Sequence, residues 1–367
     1  MRSISKELAK KHEVVVYTTT ALDSKHDFDP KEEEVDGYRV IYFKRAFRPL
    51  CYSGILGQLN LSFDMMKAVK QNLRKFDVVH VHSWQQFPDI MVGYYANKYK
   101  IPWVLQVHGS LSEIMPKQKL KRIFDLLWGY ELLSTASKII ALNQTELQQY
   151  LRMGVFEDKI EIILNGTDLS DYDNLPSKKA FKKKLGLNED ERIVLYLGRI
   201  HKIKGIDVLV KAFANIDGKL NNVRLVIVGP DDGYLVELEA LIKALGIDDN
   251  VLIPGPLYGV DKLGAYVDAD VYVLPSRYET SPMTVLESVA CGTPVILTDV
   301  CGIAEYFRDK TGLVVKTGST AHLQEALVEL LMNREKQKYF REECKSVIKQ
   351  FSILVTVKKL EEIYKEL

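Results

Sequence analysis

Short apolar runs rich in β-branched residues alternate with amphipathic stretches along the first half of the chain. The apolar runs fall at residues 13–17, 77–81, 103–107 and 138–142, and the helical patterns at 61–73, 88–99 and 117–134. Strands separated by helices of ten or more residues form βαβ units, in which the strands pair in parallel. The alternation therefore predicts the α/β class with parallel sheets.

A second series of strands occupies the other half of the chain, and its members are almost continuously apolar. They are predicted at residues 192–197, 223–228, 250–253, 271–274, 293–297 and 312–315. Strands of this composition are typical of parallel sheets that are buried on both faces. The architecture therefore repeats, although no sequence repeat is evident.

The two series divide the chain into domains. Residues 168–190 lack apolar periodicity, contain a solvated basic helix and are predicted as an interdomain linker. The 367 residues fit two domains of roughly 150 residues each. We therefore expect an N-terminal domain at 1–167, a C-terminal domain at 191–350, and a terminal helix at 351–367 that can pack back on the N-terminal domain or on the C-terminal one.

Composition narrows the functional classes. With 50 Lys and Arg against 49 Asp and Glu, the net charge is +1, which argues against a nucleic-acid partner. No apolar run approaches the roughly 18 residues of a membrane span, and the first residues lack a signal-peptide core, so a cytoplasmic location is expected. The four cysteines never form a CxxC pair, which favours buried thiols over a zinc site or a disulfide framework.

The strongest local signal follows the strand at 271–274. A polar loop leads to Ser281 and Pro282, which are typical of an N-cap and a first-turn proline. The helix that they open would present the backbone N–H groups of Met283 and Thr284 above the carboxyl edge of a parallel sheet. This position predicts an anion site of the kind that holds a diphosphate.

Two carboxylates flank the predicted anion site. Glu279 lies in the loop, and Glu287 lies inside the helix that follows it. Carboxylates are good acceptors for sugar hydroxyls. The alternative, in which Ser281 is only a cap and Glu287 is a solvated helix residue, carries equal weight when these residues are taken alone.

A second signal lies in the loop after the strand at 192–197. Arg199, Lys202 and Lys204 come shortly after the carboxyl end of that strand. Cations in such a place can neutralise the charge that develops on a phosphate leaving group. A solvated lysine-rich turn is the alternative interpretation of the same residues.

Other motifs indicate no metal site and no resident cofactor. Asp-x-Asp triplets, which hold metal ions in other transferases, occur at Asp27/Asp29, Asp171/Asp173 and Asp268/Asp270. None follows a strand, so turn or cap roles are favoured. His80 and His82 alternate on one strand without a third ligand nearby, which favours a structural or acceptor-side role. Neither GxGxxG nor a Walker loop is present, which argues against dinucleotide enzymes and kinases.

These residues resemble the retaining GT-B glycosyltransferases of family four, the glycogen-synthase-like sugar transferases. The resemblance covers nearly the whole chain, from residues 5–17, 77–82, 108–109 and 165–168 to the E-x7-E pair of Glu279 and Glu287. It implies a GT-B fold, in which two Rossmann-like domains face each other across a cleft. The N-terminal domain would bind the acceptor and the C-terminal domain a nucleoside diphosphate sugar.

The resemblance also implies an activity. The enzyme would be a hexosyltransferase whose donor substrate is a nucleoside diphosphate sugar and whose acceptor is a hydroxyl of a saccharide, a lipid-linked compound or a small molecule. The anomeric configuration would be retained, and no metal would be needed. The alternatives are a non-catalytic donor-binding paralogue or subunit, and a sugar-nucleotide epimerase or phosphorylase of the same architecture.

Individual roles carry over by resemblance. Glu287 would bind the ribose hydroxyls, and Glu279 would hold hydroxyls of the donor sugar. Arg199 and Lys204 would bind the diphosphate. The remaining positions are the phosphate cradle at Ser281, Pro282, Met283 and Thr284, the histidine His108 that would face the donor sugar from the N-terminal domain, and the walls of the base pocket at Gly229, Gly255 and Leu257.

The chain departs from the family in two places. Most members read Glu-Gly-Phe-Gly where this chain reads Glu279-Thr-Ser-Pro282, so its loop is stiffer and bulkier beside the donor sugar. The family also begins with a strand and a glycine-rich loop before the helix that ends here at Lys11. We expect either that the recorded start lies roughly 15 to 20 residues too late, which is one strand and one loop, or that the protein is a reduced paralogue.

A basic cluster in the first half is typical of a solvated helix face. Its members, with the apolar residues beside them, are Lys117, Lys119, Lys121 and Arg122, and Leu111, Ile114 and Met115. This combination leaves a weak peripheral membrane contact open as an alternative.

Overall fold

The chain folds into two compact units. In the computed structural model, the described residues are 1–20, 32–46, 60–111, 122–216, 220 and 222–367. Unit 1 comprises Met1–Gly166 together with Ile353–Leu367, and unit 2 comprises Thr167–Ser352. The chain therefore passes from unit 1 to unit 2 after Gly166 and returns after Ser352.

The described part of unit 1 contains two sheets. Their strands are β1 (Val15–Thr19), β2 (Glu32–Val35), β3 (Tyr38–Phe43), β4 (Val79–Val81), β5 (Trp103–Gln106), β6 (Lys138–Ala141) and β7 (Ile160–Ile162). The first sheet has the order β1-β3-β2, in which β1 and β3 are parallel and β2 and β3 antiparallel. The second has the order β4-β5-β6-β7 and is parallel throughout.

Helices cover the sheets of unit 1. Those with described bounds are α1 (Arg2–Leu8), α2 (Phe63–Asn72), α3 (Phe87–Tyr99), α4 (Tyr130–Thr135), α5 (Gln144–Arg152) and α13 (Ile353–Glu366). A π-helical turn, Asp125–Gly129, leads directly into α4. The terminal helix α13 packs against α1, so unit 1 is built from both ends of the described chain.

The parallel sheet of unit 1 is buried on both faces. Successive residues of a strand point to opposite faces. Leu105 and Ile139 accordingly join one apolar cluster, whereas their neighbours Val104 and Ile140 join another. The second cluster also includes Val357 of α13, which shows that the terminal helix supplies part of the core.

Unit 2 is built on a single six-stranded parallel sheet. Its strands are β8 (Arg192–Leu197), β9 (Val223–Val228), β10 (Val251–Gly255), β11 (Val271–Leu274), β12 (Val295–Thr298) and β13 (Gly312–Val315). They lie in the order β10-β9-β8-β11-β12-β13, and every neighbouring pair is parallel. Its helices are α6 (Ala180–Lys184), α7 (Ile206–Ala214), α8 (Leu235–Ala244), α9 (Gly259–Asp268), α10 (Met283–Ala290), α11 (Thr320–Met332) and α12 (Arg334–Val347).

The α/β class and the parallel sheets predicted from the sequence are confirmed. The strands of unit 2 lie close to their predicted ends, because their side chains are buried on both faces. Three strands, β2, β3 and β7, were not predicted. The predicted helix at 117–134 is helical from residue 122 onward, and its earlier part lies outside the described residues.

The segment predicted as a linker, 168–190, is part of unit 2. It contains the short helix α6, whose Phe181 is 3% exposed. The carboxylate of Asp268 accepts hydrogen bonds from the backbone N–H groups of Lys179, Phe181 and Lys182, at 2.5, 2.8 and 3.0 Å. One buried aromatic ring and one capping carboxylate therefore fasten the segment predicted as an interdomain linker to unit 2.

Two smaller predictions concern membrane helices and cysteines. Among the described helices, none combines the length and apolar character that crossing a bilayer requires. Cys291, Cys301 and Cys344 are free and buried, and burial raises the pKa of each thiol to about 12. Cys51 lies outside the described residues.

Candidate functional site

The loops after β8 and β11 meet at the carboxyl edge of the unit 2 sheet. From β8 the strand order runs outward to β10 on one side, and β11 starts the run to β13 on the other. The space between these two loops is the topological switch point of the sheet. Ligands of open α/β sheets bind at this point.

Two glycines bring the ends of β8, β9 and β10 together. Gly229 has φ +150°, and a Cβ on it would lie 1.8 Å from the carbonyl oxygen of Gly198, so no other residue fits there without moving the backbone. The N–H of Gly229 donates to the carbonyl of Gly255 at 3.1 Å. The two glycines predicted to line the base pocket are therefore neighbours, and Leu257 follows two residues later with a half-buried side chain.

Lys204 and Glu279 form an ion pair across the switch point. Lys204 ends the 3₁₀ turn Lys202–Lys204 after β8, and its Nζ contacts Oε1 of Glu279. Both side chains are largely buried, at 17% and 13% exposed. Ser276 Oγ donates to the same carboxylate at 3.2 Å, and the carbonyl of Glu279 accepts from the N–H of Gly302 at 2.9 Å. The carboxylate is therefore fixed on both its side chain and its backbone.

Arg277 joins the two loops, and the sequence analysis did not single it out. Its Nη2 donates to Asp207 Oδ2 at 2.8 Å, and its Nη1 donates to the carbonyl of Lys202 at 2.7 Å. Its backbone N–H donates to the carbonyl of Ile203 at 2.8 Å. This arginine positions the Lys204 turn against the loop of Glu279. The only hint that the sequence gives of this role is the position of Arg277, three residues after the end of β11.

Arg199 is placed differently from Lys204. Its Nη1 donates to Asp232 Oδ2 at 2.6 Å, and the side chain is 61% exposed. Its carbonyl accepts from the hydroxyl of Tyr196 at 2.7 Å. The backbone at Arg199 is therefore anchored to β8, while its guanidinium lies in solvent near the end of β9.

The helix after the Glu279 loop begins one residue later than the sequence indicated. Pro282, with φ −69° and ψ 121°, is the N-cap, and no side chain caps the helix. The predicted N-cap at Ser281 and first-turn proline at Pro282 are therefore wrong, because the fixed φ of proline suits an extended cap as well as a helical first turn. Met283 and Thr284 lie in the first turn, where backbone N–H groups lack acceptors within the helix. The amides predicted to face an anion thus remain at the helix start.

Glu287 lies one turn inside α10 and contacts α9. Its Oε1 accepts from Lys262 Nζ at 2.9 Å, and its Oε2 accepts from the hydroxyl of Tyr266 at 3.1 Å. The side chain is 16% exposed. The interpretation of Glu287 as a solvated helix residue is therefore wrong. Sequence reasoning did not find Lys262 or Tyr266, since nothing in a sequence pairs one helix face with another.

The charges of this site compensate one another. The acidic partners of Lys204, Arg199, Lys262 and Arg277 are Glu279, Asp232, Glu287 and Asp207. An incoming anion would therefore exchange places with a carboxylate rather than meet an uncompensated cation. A ligand that also offers hydroxyl groups supplies the displaced carboxylates with new partners.

His108 lies in unit 1, just after β5, in a stack of histidines. The rings of His80 and His82 stack at 3.8 Å between centroids, and those of His82 and His108 at 5.3 Å. His82 Nδ1 and His108 Nε2 lie 3.0 Å apart, so that one nitrogen donates a hydrogen bond and the other accepts it. His80 Nδ1 lies 2.6 Å from the hydroxyl of Tyr364 in α13. Face-to-face stacking of this kind does not converge nitrogens on a metal ion.

Burial keeps the histidine stack neutral. Desolvation, with a smaller contribution from the neighbouring histidines, lowers the pKa of His80 to about 3 and that of His82 well below its ordinary value. Desolvation lowers the pKa of His108 to about 4. These imidazoles are therefore hydrogen-bonding groups at neutral pH rather than cations.

A buried glutamate that the sequence analysis missed holds the turn at His108. Glu146 in α5 accepts from the N–H of Gly109 at 2.5 Å and from the N–H of Leu142 at 2.6 Å. Burial raises its pKa despite these two hydrogen bonds. His108 itself has φ +52°, a left-handed conformation that needs such support in a residue with a Cβ.

The Asp-x-Asp triplets have structural roles where they are described. Asp268 caps α6, and Asp270 accepts from the N–H of Ile193 at 2.9 Å. Asp171 lies in the 3₁₀ turn Leu169–Tyr172, and Asp173 follows the end of that turn. Asp27 and Asp29 lie outside the described residues, as do Ile114, Met115, Lys117, Lys119 and Lys121.

Two α/β units, each containing a parallel sheet, are the architecture of the GT-B fold. Solved structures of the same fold include HepE from Anabaena with UDP, at 20% identity and a TM-score of 0.75 over 89% of this chain and 86% of that one. Sucrose-phosphate synthase from Thermosynechococcus elongatus aligns at 21% identity with a TM-score of 0.75, over 100% of this chain and 91% of that one.

Family models and relatives agree with the fold. The model for Glycosyltransferase Family 4 matches residues 1–171, and that for Glycosyl transferases group 1 matches residues 177–347. An uncharacterized glycosyltransferase of Methanocaldococcus jannaschii is 30% identical, over 76% of this chain and 71% of that protein. The chain belongs to the family 4 glycosyltransferases.

A further relative is matched over a shorter part of its own length. The D-inositol 3-phosphate glycosyltransferase of Nocardia farcinica is 30% identical over 71% of this chain. The match spans 60% of that enzyme's own length.

Proposed function

We propose that this protein transfers a glycosyl unit from a nucleoside diphosphate sugar to a hydroxyl acceptor. The observation that carries the proposal is the group of Lys204, Glu279 and Glu287 around the start of α10 at the switch point. It offers a cation and helix amides for a diphosphate, and carboxylates for the hydroxyls on either side of it. The structural neighbour HepE from Anabaena, which has been determined with UDP and with UDP-glucose, supports a donor of this class.

The proposal assigns each residue a role. Glu287 binds the ribose hydroxyls, and Glu279 binds hydroxyls of the donor sugar. Lys204, the exposed Arg199 and the first-turn amides of α10 bind the diphosphate. The base lies against Gly229, Gly255 and Leu257.

The proposed reaction is a front-face substitution with retention at the anomeric carbon. The bond from the anomeric carbon to the diphosphate oxygen breaks, and a bond to the acceptor oxygen forms on the same face. The acceptor proton passes to the departing phosphate oxygen. Lys204 and the helix amides stabilise the charge on that oxygen as it grows, so we propose that the reaction is independent of a divalent metal. We also propose that the protein is located in the cytoplasm.

Donor binding tests the proposal directly. A bound donor raises folded stability by mass action, by about 2.7 kcal/mol at roughly a hundredfold excess over Kd. A thermal-shift screen of UDP-, GDP- and ADP-sugars should therefore find at least one stabilising donor. Glu287→Gln should weaken binding of that donor about 10- to 100-fold, since one charge-assisted contact contributes about 1.5 to 3 kcal/mol.

Glu189→Gln is the matched control, because Glu189 is an exposed carboxylate that pairs with Lys179 and lies just before β8, at the edge of the sheet opposite the switch point. Turnover of the donor found in the screen should survive EDTA. Restoration of lost turnover by manganese or magnesium alone would contradict metal independence. If Glu287→Gln lowers stability without ligand and leaves donor affinity unchanged, Glu287 is structural. If no nucleotide sugar stabilises the protein, the proposed function is wrong.

A further inference from the structure

Three fully buried tyrosines extend their hydroxyl groups to the candidate site, and the proposed reaction uses none of them. They are Tyr196 in β8, Tyr266 in α9 and Tyr272 in β11, each 0% exposed. The hydroxyl of a buried tyrosine is costly to the fold unless it has a hydrogen-bond partner. Tyr196 donates to the carbonyl of Arg199, and Tyr266 donates to the carboxylate of Glu287. Two of the three hydroxyls therefore each hold one part of the site.

The hydroxyl of Tyr272 connects the two sides of the switch point. It donates to the carbonyl of Leu197, the last residue of β8, at 3.1 Å. It also lies 2.7 Å from Oγ1 of Thr284, in the first turn of α10. A phenol hydroxyl can serve both partners at once, because its oxygen accepts a hydrogen bond while its hydrogen is donated. One side chain therefore links the end of β8 to the start of α10.

The contact with Tyr272 fixes the start of α10 from outside the helix. This helix lacks the side-chain cap that holds the first turn of many helices. The ring of Tyr272 is itself held in place, in an edge-to-face contact with Tyr266 at 5.7 Å between centroids. Burial raises the pKa of Tyr272 well above its ordinary value, so the hydroxyl keeps its hydrogen at neutral pH. The first turn of α10 is therefore held at a set distance from the end of β8.

That distance matters for a diphosphate, because the groups proposed to bind it come from both sides of the switch point. Arg199 and Lys204 follow β8, whereas the amides of Met283 and Thr284 belong to α10. A diphosphate has to reach both sets of donors, whereas a single phosphate can be satisfied by one of them. A hydrogen bond that fixes the distance between the two sets therefore favours a diphosphate over a monophosphate.

We propose that Tyr272 is a positioning residue for the diphosphate of the donor. Its hydroxyl holds the first turn of α10 at the distance from β8 at which the helix amides and Lys204 bind the same diphosphate. The proposal rests on the proposed function and adds to it a buried residue that does not touch the donor. The alternative is a purely structural tyrosine, which would stabilise the fold and leave the preference for a diphosphate unchanged.

Nucleotide affinities measured in pairs test the proposal on the whole chain. The probes are UDP with UMP, GDP with GMP and ADP with AMP, and the pair whose diphosphate binds the wild type most tightly is used for every variant. Tyr272→Phe keeps the ring and removes the hydroxyl. It should lower diphosphate affinity about three- to tenfold, the equivalent of one neutral hydrogen bond, and monophosphate affinity less than about twofold.

Thr284 provides a second variant for the same hydrogen bond. Thr284→Val removes the partner hydroxyl at nearly constant volume and should produce the same selective loss of diphosphate affinity. Thr284→Ser keeps a hydroxyl and should restore most of the ratio that Thr284→Val loses. Because the two hydroxyls act through one bond, Tyr272→Phe combined with Thr284→Val should lose no more than Tyr272→Phe alone.

Tyr150→Phe is the matched control. Tyr150 is also 0% exposed and its hydroxyl also donates to a strand carbonyl, that of Ile140, but it lies in unit 1. This variant should lower thermal stability and leave both nucleotide affinities unchanged. Thermal unfolding verifies that every variant is folded.

The outcomes separate this proposal from the proposed function. An unchanged ratio of diphosphate to monophosphate affinity in Tyr272→Phe overturns the proposal while the proposed function stands. Equal losses for both nucleotides, or additive losses in the double variant, overturn it as well. If no nucleoside diphosphate binds the wild type, the proposed function is wrong and the positioning role falls with it.

Discussion

The pairing of Lys204 with Glu279 connects groups that the proposed function assigns to different halves of the donor. A diphosphate that draws Lys204 away leaves the carboxylate of Glu279 without its cation. Because that carboxylate is only 13% exposed, losing a partner is costly. The hydroxyls of a donor sugar can replace the lysine as partners, whereas a nucleoside diphosphate without a sugar offers no such replacement.

Removing the carboxylate charge should therefore favour the nucleotide alone. In Glu279→Gln, the nucleoside diphosphate of the donor found in the screen should bind roughly three- to tenfold more tightly than to the wild type, because Lys204 no longer exchanges a charged partner. The intact donor should gain nothing or lose affinity. Isothermal titration of both ligands measures the ratio, with Glu189→Gln as the control. An unchanged ratio of the two affinities would contradict the exchange of partners.

The histidine stack should make unit 1 sensitive to acid. Its imidazoles stay neutral in the fold, with pKa values of about 3 for His80 and about 4 for His108, whereas in the unfolded chain they titrate near pH 6.5. The unfolded state therefore binds more protons below pH 6.5, and folded stability falls as the pH drops from about 6.5 toward 4. Burial raises the pKa of Asp89 to about 6, which acts in the opposite direction.

A variant isolates the contribution of the histidines. All three tryptophans, Trp84, Trp103 and Trp128, lie in unit 1, so tryptophan fluorescence reports its unfolding by urea. Between pH 7 and pH 5, His82→Asn should lose less stability than the wild type, while Asp89 contributes equally to both. His322→Asn, at an exposed position in unit 2, is the control. Parallel pH dependences in His82→Asn and the wild type would rule out this origin of acid sensitivity.

Whole strands and helices show why the sequence predicted unit 2 better than unit 1. A strand that is buried on both faces, such as β8 or β11, is marked by a continuous apolar run. By contrast, β2 reads Glu-Glu-Glu-Val, a composition that carries no strand signal, and among the described strands it pairs only with β3. In β7 the three residues are Ile, Glu and Ile, which is too short a pattern to identify.

Like the strands and helices, the candidate site could be predicted from the sequence only in part. Lys204 and Glu279 could be found because they follow strands whose ends meet at one sheet edge. Their contact with each other could not be predicted, since it depends on how two loops of irregular backbone approach. Glu287 likewise meets Lys262 through the packing of α10 on α9, and the spacing along either helix contains no information about that register.

The close approach of the ends of β9 and β8 depends on Gly229, so a side chain at this position should disturb the carboxyl edge of the sheet. In Gly229→Ala, the added Cβ would meet the carbonyl of Gly198, so the strand ends must separate. Strain of this kind costs about 1 to 3 kcal/mol, and nucleotide affinity should fall with it. Gly233→Ala is the control, because Gly233 also has a positive φ but nothing within 4 Å of its Cβ position. Thermal unfolding and nucleotide titration measure both effects, and equal losses in the two variants would contradict the argument.

The molecule as a whole consists of one continuous unit and one discontinuous unit. Unit 2 is a single stretch of chain, whereas unit 1 needs both Met1–Gly166 and Ile353–Leu367. The two crossing points are held side by side in unit 2, where the N–H of Thr167 donates to the carbonyl of Phe351 at 2.8 Å. Unit 1 is therefore completed by α13 rather than assembled in sequence order.

This connectivity has a consequence for synthesis on the ribosome. Unit 2 has all of its residues once position 352 has emerged, so its folding does not have to wait for any later part of the chain. The first half, although translated earlier, has to wait for Ile353, Val357 and Leu360 to cover Ile4 and Val104. Until then its apolar surface is exposed, and nascent chains of this protein should depend on chaperones mainly for the half that leaves the ribosome first.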